Sequence, residues 1–391
     1  MSREHTVALI GAAAGHALWH RRTIHRMSAV RLVAVCDVVE PRPVDDAPLD
    51  GVEVFARHED LLGRVRPDAV VICTPPHTHL PIALDVLDAG IDVLLEKPPV
   101  ASLAEHAVLA GAADVIGRAV QVNFQALGSY GLDAVLAAVA AGDLGEVHSI
   151  GVAGTWWRPP AYWARSPWAG KRILQGRPVA DGALLNPFAH AVMQALAIAA
   201  GAGWGEPEAV EVERYRAAPI EVDDTSCLRV EYAGGRVLTA AVTLAARGFR
   251  AGDITVSGVD GAAVLEYPTD RIRLPGGQWT ATGRVGMLEN LLAHRASRAA
   301  GDDPAVPLRA PLSRTRRFTA VLEAVLGAAA PVGIDPRHLR AHDGGWAVDG
   351  VEAAVAAAAS GGIPFAATGA AWASADAVHR YPLMKEETCA S

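Results

Sequence analysis

At 391 residues, with 51% hydrophobic and 20% charged residues, the chain is long enough for two domains, each with its own core. Its formal net charge of −8, without any basic block, argues against a nucleic-acid partner. No apolar stretch is long enough to span a bilayer and residues 1–6 lack the apolar core of a signal peptide, so a cytoplasmic protein without a membrane partner is expected.

The first third of the chain alternates predicted strands with predicted helices. An amphipathic helix ends near residue 27, and a short helix ends at residues 61–65. The other predicted elements are strands at 6–10, 30–36, 69–73, 92–95 and 119–123 and helices at 80–89 and 103–116. Strands and helices that alternate at this spacing indicate right-handed βαβ units and a parallel sheet.

A glycine-containing turn joins the first predicted strand to the first predicted helix. Gly11 stands at the first glycine of the fingerprint G-x-G-x-x-G, but Ala13 and His16 occupy the other two positions and Gly15 comes one residue early. A strand, a turn and a helix N-terminus in this order bind a dinucleotide pyrophosphate. These four residues are therefore predicted to border the cofactor. The alternative is an ordinary βαβ turn in a fold that has lost its cofactor.

Asp37 closes the second predicted strand, where a carboxylate accepts hydrogen bonds from the ribose hydroxyls of adenosine. The same carboxylate would repel a 2′-phosphate, so NAD is favoured over NADP. No arginine directly follows Asp37, although Arg42 is close in sequence and keeps NADP as the less favoured alternative.

Residues 93–99, Val-Leu-Leu-Glu-Lys-Pro-Pro, place a lysine between a predicted buried strand and a proline. Proline restricts its own backbone and holds the residue before it in an extended conformation. Lys97 is therefore expected at the carboxyl edge of the parallel sheet, where open α/β sheets bind their ligands. A lysine there can exchange a proton with a substrate oxygen. The alternative is a surface lysine beside a loop proline.

From residue 145 the pattern changes to consecutive strands. They are predicted at 145–152, 210–216, 227–232, 237–244, 253–259 and 262–267, with a hairpin turn at 233–235. This succession predicts an antiparallel sheet with one face free to pack on something and helices 187–200 and 287–300 on the other face. Residues 335–373 are a candidate segment for folding back on the first domain, and a polar tail begins at about 385.

Residues 155–168 hold four of the nine tryptophans of the chain, and prolines interrupt them, so they are predicted to form a loop. Aromatic faces bind the C–H faces of sugars while nearby cations and polar edges bind the hydroxyls. The segment is therefore predicted to contact a polyhydroxylated or anionic substrate. The residues assigned to this contact are Trp157, Arg158, Tyr162, Trp163, Arg165 and Lys171. The alternative is a loop that packs its tryptophans under the sheet or against another subunit.

The cysteines and histidines do not predict a metal site. Cys36, Cys73, Cys227 and Cys389 are scattered, without a pair at metal or redox-motif spacing, and the first two lie inside predicted strands as core residues. His77 and His79 flank Thr78 in a proline-rich turn, which is a poor setting for structural zinc.

Two motifs together resemble the glucose–fructose oxidoreductase/inositol dehydrogenase (Gfo/Idh/MocA) family. They are Glu-Lys-Pro at 96–98 and Thr-Pro-x-x-x-His at 74–79. The resemblance also takes in Gly-Asp-Leu-Gly-Glu-Val at 142–147 and Trp-Ala-Gly-Lys at 168–171, and it covers nearly the whole chain. It implies an α/β fold with an N-terminal Rossmann domain, 1–123, and a C-terminal α+β domain with a large, mostly antiparallel open sheet, 124–384.

The resemblance further implies NAD(P)-dependent hydride transfer on sugars, polyols and related alcohols, and assembly as a homodimer or homotetramer through the open sheet. Carried onto this chain, it makes Lys97 the acid/base residue. Further positions are implied in contact with the cofactor: Thr74, Pro75 and His79 along its nicotinamide half, Glu96 and Pro98 at its wall, and Asn123 after the last parallel strand.

The second-domain motif departs from the family, which has Asp-x-x-x-His and a further Asp three residues after the His. This chain has Asn186, His190 and Met193 at these positions. Asn186 can hydrogen-bond a hydroxyl but cannot orient and charge-stabilise His190 as a carboxylate would, so proton transfer falls on Lys97. Asp181 is a candidate replacement carboxylate. The alternatives are a turn residue for Asp181 and a core histidine for His190.

The prediction that follows is an NAD-dependent oxidoreductase acting on a secondary alcohol or ketone of a small-molecule sugar, cyclitol or sugar derivative. Two alternatives remain open. A redox-neutral lyase or glycosidase would oxidise a sugar transiently, eliminate a group beside the new ketone and return the hydride. A cofactor-sensing regulatory protein would account for the altered glycine turn, Asn186 and Met193.

Overall fold

The computed structural model describes residues 4–13 and 15–383, so the predicted polar tail and Cys389 lie outside the described residues. The chain divides into two compact units. Unit 1 comprises Met1–Gln125 and Val285–Thr319, and unit 2 comprises Ala126–Arg284 and Ala320–Ser391. In the ranges described, no helix combines the length and the apolar character needed to cross a membrane.

The first part of unit 1 repeats strand and helix. Its elements are β1 (His5–Ile10), α1 (Gly15–Arg26), β2 (Val30–Cys36), β3 (Glu53–Phe55), α2 (His58–Arg64), β4 (Ala69–Ile72), α3 (His79–Asp88), β5 (Asp92–Leu95), α4 (Leu103–Ile116) and β6 (Val120–Val122). The six strands are parallel, in the order β3-β2-β1-β4-β5-β6 of a dinucleotide-binding Rossmann sheet. Every residue of β4 and β5 is buried, as expected for central parallel strands. The predicted parallel sheet is confirmed.

The remaining elements begin with a helix and continue mainly as strands. They are α5 (Tyr130–Ala141), β7 (Val147–Trp157), α6 (Pro160–Trp163), β8 (Ile173–Leu174), β9 (Arg177–Pro178), α7 (Ala189–Gly201), β10 (Ala209–Arg216), β11 (Thr225–Glu231), β12 (Val237–Thr243), β13 (Ala245–Gly258), β14 (Ala262–Glu266), β15 (Arg271–Arg273), β16 (Thr280–Ala281), α8 (Met287–Ala300), α9 (Arg316–Gly327), β17 (Val332–Gly333), β18 (Leu339–His342), β19 (Gly345–Val348), α10 (Val351–Gly361) and β20 (Val378–Pro382).

Unit 2 contains a ten-stranded sheet in the order β16-β15-β14-β13-β7-β12-β11-β10-β17, with β20 also paired to β10. The neighbours are antiparallel except for β7 with β12 and β10 with β17. The hairpin between β11 and β12 turns through Gly234 and Gly235, at φ values of 76° and 74° that glycine tolerates. The predicted hairpin and the mostly antiparallel sheet are confirmed.

Both faces of this sheet are covered at β7. A Cβ added to Gly154 would collide with the ring of Phe188, which directly precedes α7. A Cβ added to Gly151 would collide with the carbonyl oxygen of Ala359 in α10. Because successive strand residues point to opposite faces, these two helices lie on opposite sides of the strand. The face that was expected to be free to pack on something is occupied by α10 at this strand.

Helix α8 was expected on the antiparallel sheet, and this expectation is wrong. It belongs to unit 1, where the side-chain amide of Gln121 in β6 donates to the carbonyl oxygen of Met287 at 2.6 Å. Arg295 of the same helix donates to Asp68 at 3.1 Å and to Asp92 at 2.9 Å, at the amino ends of β4 and β5. Two buried carboxylates that need a cation thus draw α8 to the parallel sheet.

Residues 335–373 were a candidate segment for folding back on the first domain, and this stays a prediction. They belong to unit 2, where α10 buries Val351, Val355 and Ala358 in one core cluster with Phe365 and Trp372. This apolar helix face is large enough to need a sheet surface of its own, and β7 and β12 supply it.

Candidate functional site

The residues predicted to bind the cofactor follow the carboxyl ends of neighbouring strands in unit 1. Gly11 follows β1, Asp37 follows β2, Thr74 follows β4, Lys97 follows β5 and Asn123 follows β6. The strand order reverses between β1 and β4, and open α/β sheets bind ligands in the crevice at such a point. One edge of the sheet therefore carries all five positions.

The turn after β1 passes so close to β4 that it excludes a side chain. Gly11 has a φ of +86°, and a Cβ there would lie 2.6 Å from the carbonyl oxygen of Cys73. Its amide donates to the carbonyl oxygen of Cys36 at 2.8 Å. Helix α1 begins at Gly15, and its first turn includes the exposed His16. The first amides of a helix have no partner within it and suit a pyrophosphate.

Asp37 is tied to this turn. Its Oδ2 accepts the Ala13 amide at 2.8 Å, and its Oδ1 accepts the Val39 amide at 3.0 Å. A carboxylate has about four acceptor sites, which leaves one on each oxygen for a ribose hydroxyl. Ala13 is exposed, so its methyl group does not fill the turn. These groups fit NAD, because a carboxylate beside the turn binds ribose hydroxyls and repels a 2′-phosphate.

His79 connects the loops that follow β4 and β5. Its Nε2 lies 2.8 Å from the carbonyl oxygen of Thr74, and its Nδ1 lies 2.9 Å from that of Pro98. Burial lowers the pKa of the His79 ring, although the carbonyl oxygens act in the opposite direction. The hydroxyl of Thr78 donates to the carbonyl oxygen of Pro75 at 2.8 Å and closes the turn before α3. The predicted Thr-Pro-x-x-x-His segment therefore has a well-defined shape.

Glu96 is the centre of a hydrogen-bond network directly before Lys97. Its Oε1 contacts Nε2 of His20 at 2.7 Å and accepts Nδ2 of Asn123 at 2.6 Å, while its Oε2 accepts the Lys97 amide at 3.1 Å. Burial alone would raise the pKa of Glu96, but the bonds from His20 and Asn123 and the charges of His20 and Lys97 lower it to about 2. The half-buried Lys97 is followed by the buried Pro98, so its backbone is held from both sides.

His20, Cys73 and Glu96 also place three potential metal ligands within 4.8 Å of one another. Glu96 and His20 already bind each other, and burial raises the pKa of the Cys73 thiol well above its usual range. Metals bind the thiolate rather than the thiol. The cluster is therefore better described as a hydrogen-bond network than as a metal centre.

In unit 2, Trp156 is the centre of an aromatic cluster. Its ring lies 4.5 Å from Phe188 and is stacked at 6.5 Å on both Phe249 and Tyr267, measured between centroids. The guanidinium carbon of Arg158 lies 4.7 Å from the Trp156 centroid. Trp156 was expected in a loop, but it is the second-last residue of β7, and its indole nitrogen donates to the carbonyl oxygen of Ala251 at 3.0 Å.

Trp157 does not join this cluster, although it was predicted to contact substrate. As the next residue of β7 it points to the opposite face, where its indole nitrogen donates to Asp343 at 3.3 Å. Its ring lies 4.6 Å from His342, edge to face. The predicted loop is thus wrong at residues 155–157, because the strand continues through the tryptophan pair.

The other predicted substrate residues form ion pairs and ring contacts around α6. Arg165 lies 3.9 Å from the Tyr162 ring centroid and 3.2 Å from Asp181 Oδ1. Asp181 also accepts the Gly170 amide at 2.8 Å and Nδ2 of Asn186 at 3.0 Å. Asp181 therefore organises the segment from within the protein.

Trp163 and Lys171, which were also predicted to contact substrate, make contacts with other residues of unit 2. Trp163 contacts Tyr162 edge to face at 4.9 Å, and burial raises the pKa of Tyr162. Lys171 is exposed and pairs with Glu221 at 2.8 Å.

His190, in the first turn of α7, is buried and stacks on Tyr267 at 5.7 Å. Tyr267 joins His190 to the Trp156 cluster, and sequence reasoning missed it because it lies more than 75 positions away along the chain. His20 was missed for a related reason. The only signal for it was its place on the buried face of α1, beside Ala17 and Ile24.

Known protein families match parts of both units of the chain. Residues 5–124 match the family described as "Oxidoreductase family, NAD-binding Rossmann fold", and residues 132–264 match the "GFO/IDH/MocA C-terminal domain". Inositol 2-dehydrogenase of Rubrobacter xylanophilus is 37% identical over 128 residues, which are 32% of this chain and 37% of that protein. D-glucoside 3-dehydrogenase of Escherichia coli is 28% identical over 143 residues, 36% and 41% of the two chains. These matches span about two fifths of the relatives or less.

Among solved structures, the WlbA dehydrogenase from Bordetella pertussis, in complex with NADH and UDP-GlcNAcA, superposes with a TM-score of 0.64 at 21% identity. The superposition covers 85% of this chain and 100% of the WlbA chain. At this identity the likeness shows a shared fold.

Proposed function

Because the chain belongs to the GFO/IDH/MocA family of oxidoreductases, we propose that it transfers hydride between NAD and a secondary alcohol or ketone of a sugar, cyclitol or sugar derivative. It is an NAD-binding oxidoreductase of the dehydrogenase type. The observation that carries the finer proposal is the alignment of Gly11, Asp37, Glu96 and Lys97 after neighbouring parallel strands.

The candidate site residues of unit 1 have separate roles in this proposal. The turn at Gly11 and the start of α1 hold the pyrophosphate, and Asp37 holds the ribose. When bound, NAD supplies hydride acceptance and return. Lys97 takes the proton from the substrate hydroxyl in oxidation and gives it back to the carbonyl oxygen in reduction. Glu96 fixes the backbone that carries Lys97.

In unit 2 we assign sugar binding to the Trp156 cluster, with His190 orienting a hydroxyl and Asn186 holding a neighbouring one. The ring faces of the cluster supply the apolar surface for sugar C–H groups. Asp181 keeps Asn186 and Arg165 in place, so we assign it a positioning task.

The first test is a fluorescence titration of the protein with NADH and with NADPH, using D37N beside the unaltered chain. We expect a preference for NADH of at least ~10-fold, which D37N reduces, because the charge that repels a 2′-phosphate is gone. Failure of both nucleotides to bind would reject the proposed function and favour the regulatory alternative.

The second test replaces the acid/base residue. Lys97→Met is expected to lower kcat for sugar oxidation by ~100-fold or more, while NADH affinity changes by less than about threefold. Unchanged turnover would overturn the role of Lys97. Product formation without net reduction of NAD, from a protein that retains its nucleotide, would instead favour the redox-neutral lyase.

A further inference from the structure

Three cations in segment 158–171 of unit 2 differ in what already neutralises them. Lys171 pairs with Glu221 at 2.8 Å, and Arg165 pairs with Asp181 at 3.2 Å. Among the residues that the structure describes, no carboxylate oxygen lies within ion-pair distance of Arg158. The charges of Lys171 and Arg165 are therefore neutralised within the protein, whereas the charge of Arg158 is available to a ligand.

The guanidinium of Arg158 is held in place by rings rather than by acids. Its central carbon lies 4.7 Å from the Trp156 centroid and 5.1 Å from the Tyr162 centroid. Its backbone amide donates to the carbonyl oxygen of Leu244 at 3.0 Å, which fixes the start of the side chain. The ring faces attract the cation and the Tyr162 side chain hydrogen-bonds it, but neither group supplies a negative charge.

One donor of this group is buried without a partner. The Nε of Arg158 makes no hydrogen bond in the described structure, although it is shielded from solvent. A buried donor left unpaired costs free energy, and an incoming oxyanion would remove this cost. The planar fork of an arginine binds carboxylate and phosphate oxygens in pairs.

An apolar surface continues from this cation. Trp156, beneath Arg158, also stacks on Phe249, whose side chain is 77% exposed. In the other direction Trp156 stacks on Tyr267, which stacks on His190. An exposed ring beside an unpaired cation suits a ligand that has both an apolar ring face and a negative charge.

We propose that Arg158 binds the oxyanion of an acidic sugar, a sugar carboxylate or a sugar phosphate, whose ring lies against Trp156 and Phe249. The inference rests on the proposed function for the identity of the ligand as a sugar. It adds the substrate class and separates Arg158 from Arg165 and Lys171, which sequence reasoning had grouped together.

The test measures binding, so that it does not depend on turnover. Glucose, glucuronate and glucose 6-phosphate are titrated into the NAD-loaded protein by calorimetry, using the unaltered chain, R158Q and R158K. The matched control is R380Q, which removes the same charge from an exposed arginine on β20. Thermal unfolding of each variant shows whether it is folded.

We expect at least one anionic sugar to bind ~10- to 100-fold more tightly than glucose, and R158Q to lose most of that advantage. R380Q should change it by less than about twofold, and R158K should restore part of it because it keeps the charge but not the fork. Preference for glucuronate identifies a carboxylate and preference for the phosphate identifies a phosphate; each supports the proposal.

Two results would overturn the inference: equal affinities of the unaltered chain for neutral and acidic sugars, or an equal loss for both in R158Q. Failure of this inference can be distinguished from failure of the proposed function, because one is measured by anion binding and the other by NADH formation. Arg158-dependent anion binding without any NADH formation would leave the anion site standing and remove the dehydrogenase activity, whereas oxidation of neutral sugars alone would do the reverse.

Discussion

The side chain of Glu96 is only 14% exposed, and its carboxylate is bound on both oxygens by neighbouring groups of the protein. His20 and Asn123 bind one of its oxygens and the Lys97 amide binds the other. With its pKa lowered to about 2, Glu96 is an anion throughout the neutral range. The residue that carries the proposed chemistry is thus attached to a fixed negative charge rather than to a mobile loop.

We expect Glu96→Gln to lower the free energy of unfolding at pH 7 by about 3 kcal/mol, because a carboxyl shifted from 4.5 to about 2 stabilises the folded state by that order. The contribution is complete above pH 4.5 and is lost as the pH falls toward 2, so the difference between the two proteins should shrink over that range. Urea unfolding measured at several pH values checks this. The exposed Glu59→Gln is the control, and a difference independent of pH would contradict the prediction.

At the scale of elements, five of the six parallel strands were predictable because each is a short apolar run, and three of these runs end in Gly11, in Asp37 and in Glu96-Lys97-Pro98. Strand β3 was not predicted, because it has only 3 residues and its first is a glutamate. The same endings identified Gly11, Asp37 and Lys97 as site positions. The end of β7 was not predictable, since Trp156 and Trp157 break the alternation expected of a strand. Without that strand, the opposite directions of the two rings could not be inferred, so Trp157 was grouped with residues on the other face, and its contact with substrate stays a prediction.

Gly11 and Gly15 allow a matched test of the turn before α1. Gly11→Ala is expected to cost about 2 kcal/mol or more and to weaken NADH binding, because its Cβ would lie 2.6 Å from the Cys73 carbonyl oxygen at a φ of +86°. At Gly15 the space for a Cβ is open within 4 Å and φ is ordinary, so Gly15→Ala should leave stability within about 1 kcal/mol. Thermal unfolding and NADH titration measure both. Equal effects would show that the turn is not as close to β4 as described.

The connection between β10 and β11 depends on Asp224. Its carboxylate accepts the amides of Ala217 and Ala218, both at 2.8 Å. Burial is the largest influence and raises the pKa of Asp224 to about 6, although those amides and Thr225 act to lower it. Through Glu221 and Val222 the same connection binds the carbonyl oxygen of Gly170, beside the proposed sugar-binding segment.

Between pH 3.8 and 6 the folded protein holds a proton on Asp224 that the unfolded chain has released, so this residue makes stability fall as pH rises. Asp224→Asn removes that contribution. The free energy of unfolding of the variant minus that of the unaltered chain should therefore increase by about 2–3 kcal/mol from pH 4 to pH 7. Chemical unfolding across this range provides the measurement. A difference that stays constant would show that Asp224 is ionised in both states.

At the scale of the whole molecule, unit 1 is built from two separate stretches of sequence. The amphipathic pattern of residues 287–300 predicted a helix with a buried face but could not say which sheet would receive it. That choice depends on Arg295 meeting Asp68 and Asp92, an encounter between residues about 200 positions apart. Likewise, no local signal indicated that α10 would cover the strands expected to be free. A homodimer or homotetramer remains a prediction, and it would need a surface other than the one under α10.

Arg295→Met is expected to lower the free energy of unfolding by about 3 kcal/mol, because it removes the cation that pairs with two buried carboxylates, Asp68 and Asp92. Arg298, one turn later on α8, donates to the carbonyl oxygen of Gly117 from an exposed position. Arg298→Met should therefore cost less than about 1 kcal/mol. Urea unfolding of both variants tests this, and equal losses would mean that the ion pairs do not attach the helix.

The divided construction of unit 1 has a consequence for synthesis on the ribosome. The parallel sheet emerges first, with Asp68 and Asp92 already in place, but the arginine that neutralises them is translated only after Ala126–Arg284. Domains generally fold as units, the N-terminal one first, during synthesis. Unit 1 cannot be complete before unit 2 begins to be translated, because its second stretch, Val285–Thr319, follows Ala126–Arg284 in the chain. Until α8 has left the exit tunnel, Asp68 and Asp92 at the amino edge of the sheet lack their ion pairs with Arg295. A gene shortened after codon 124 would encode the six strands of the Rossmann sheet without the helix that completes them.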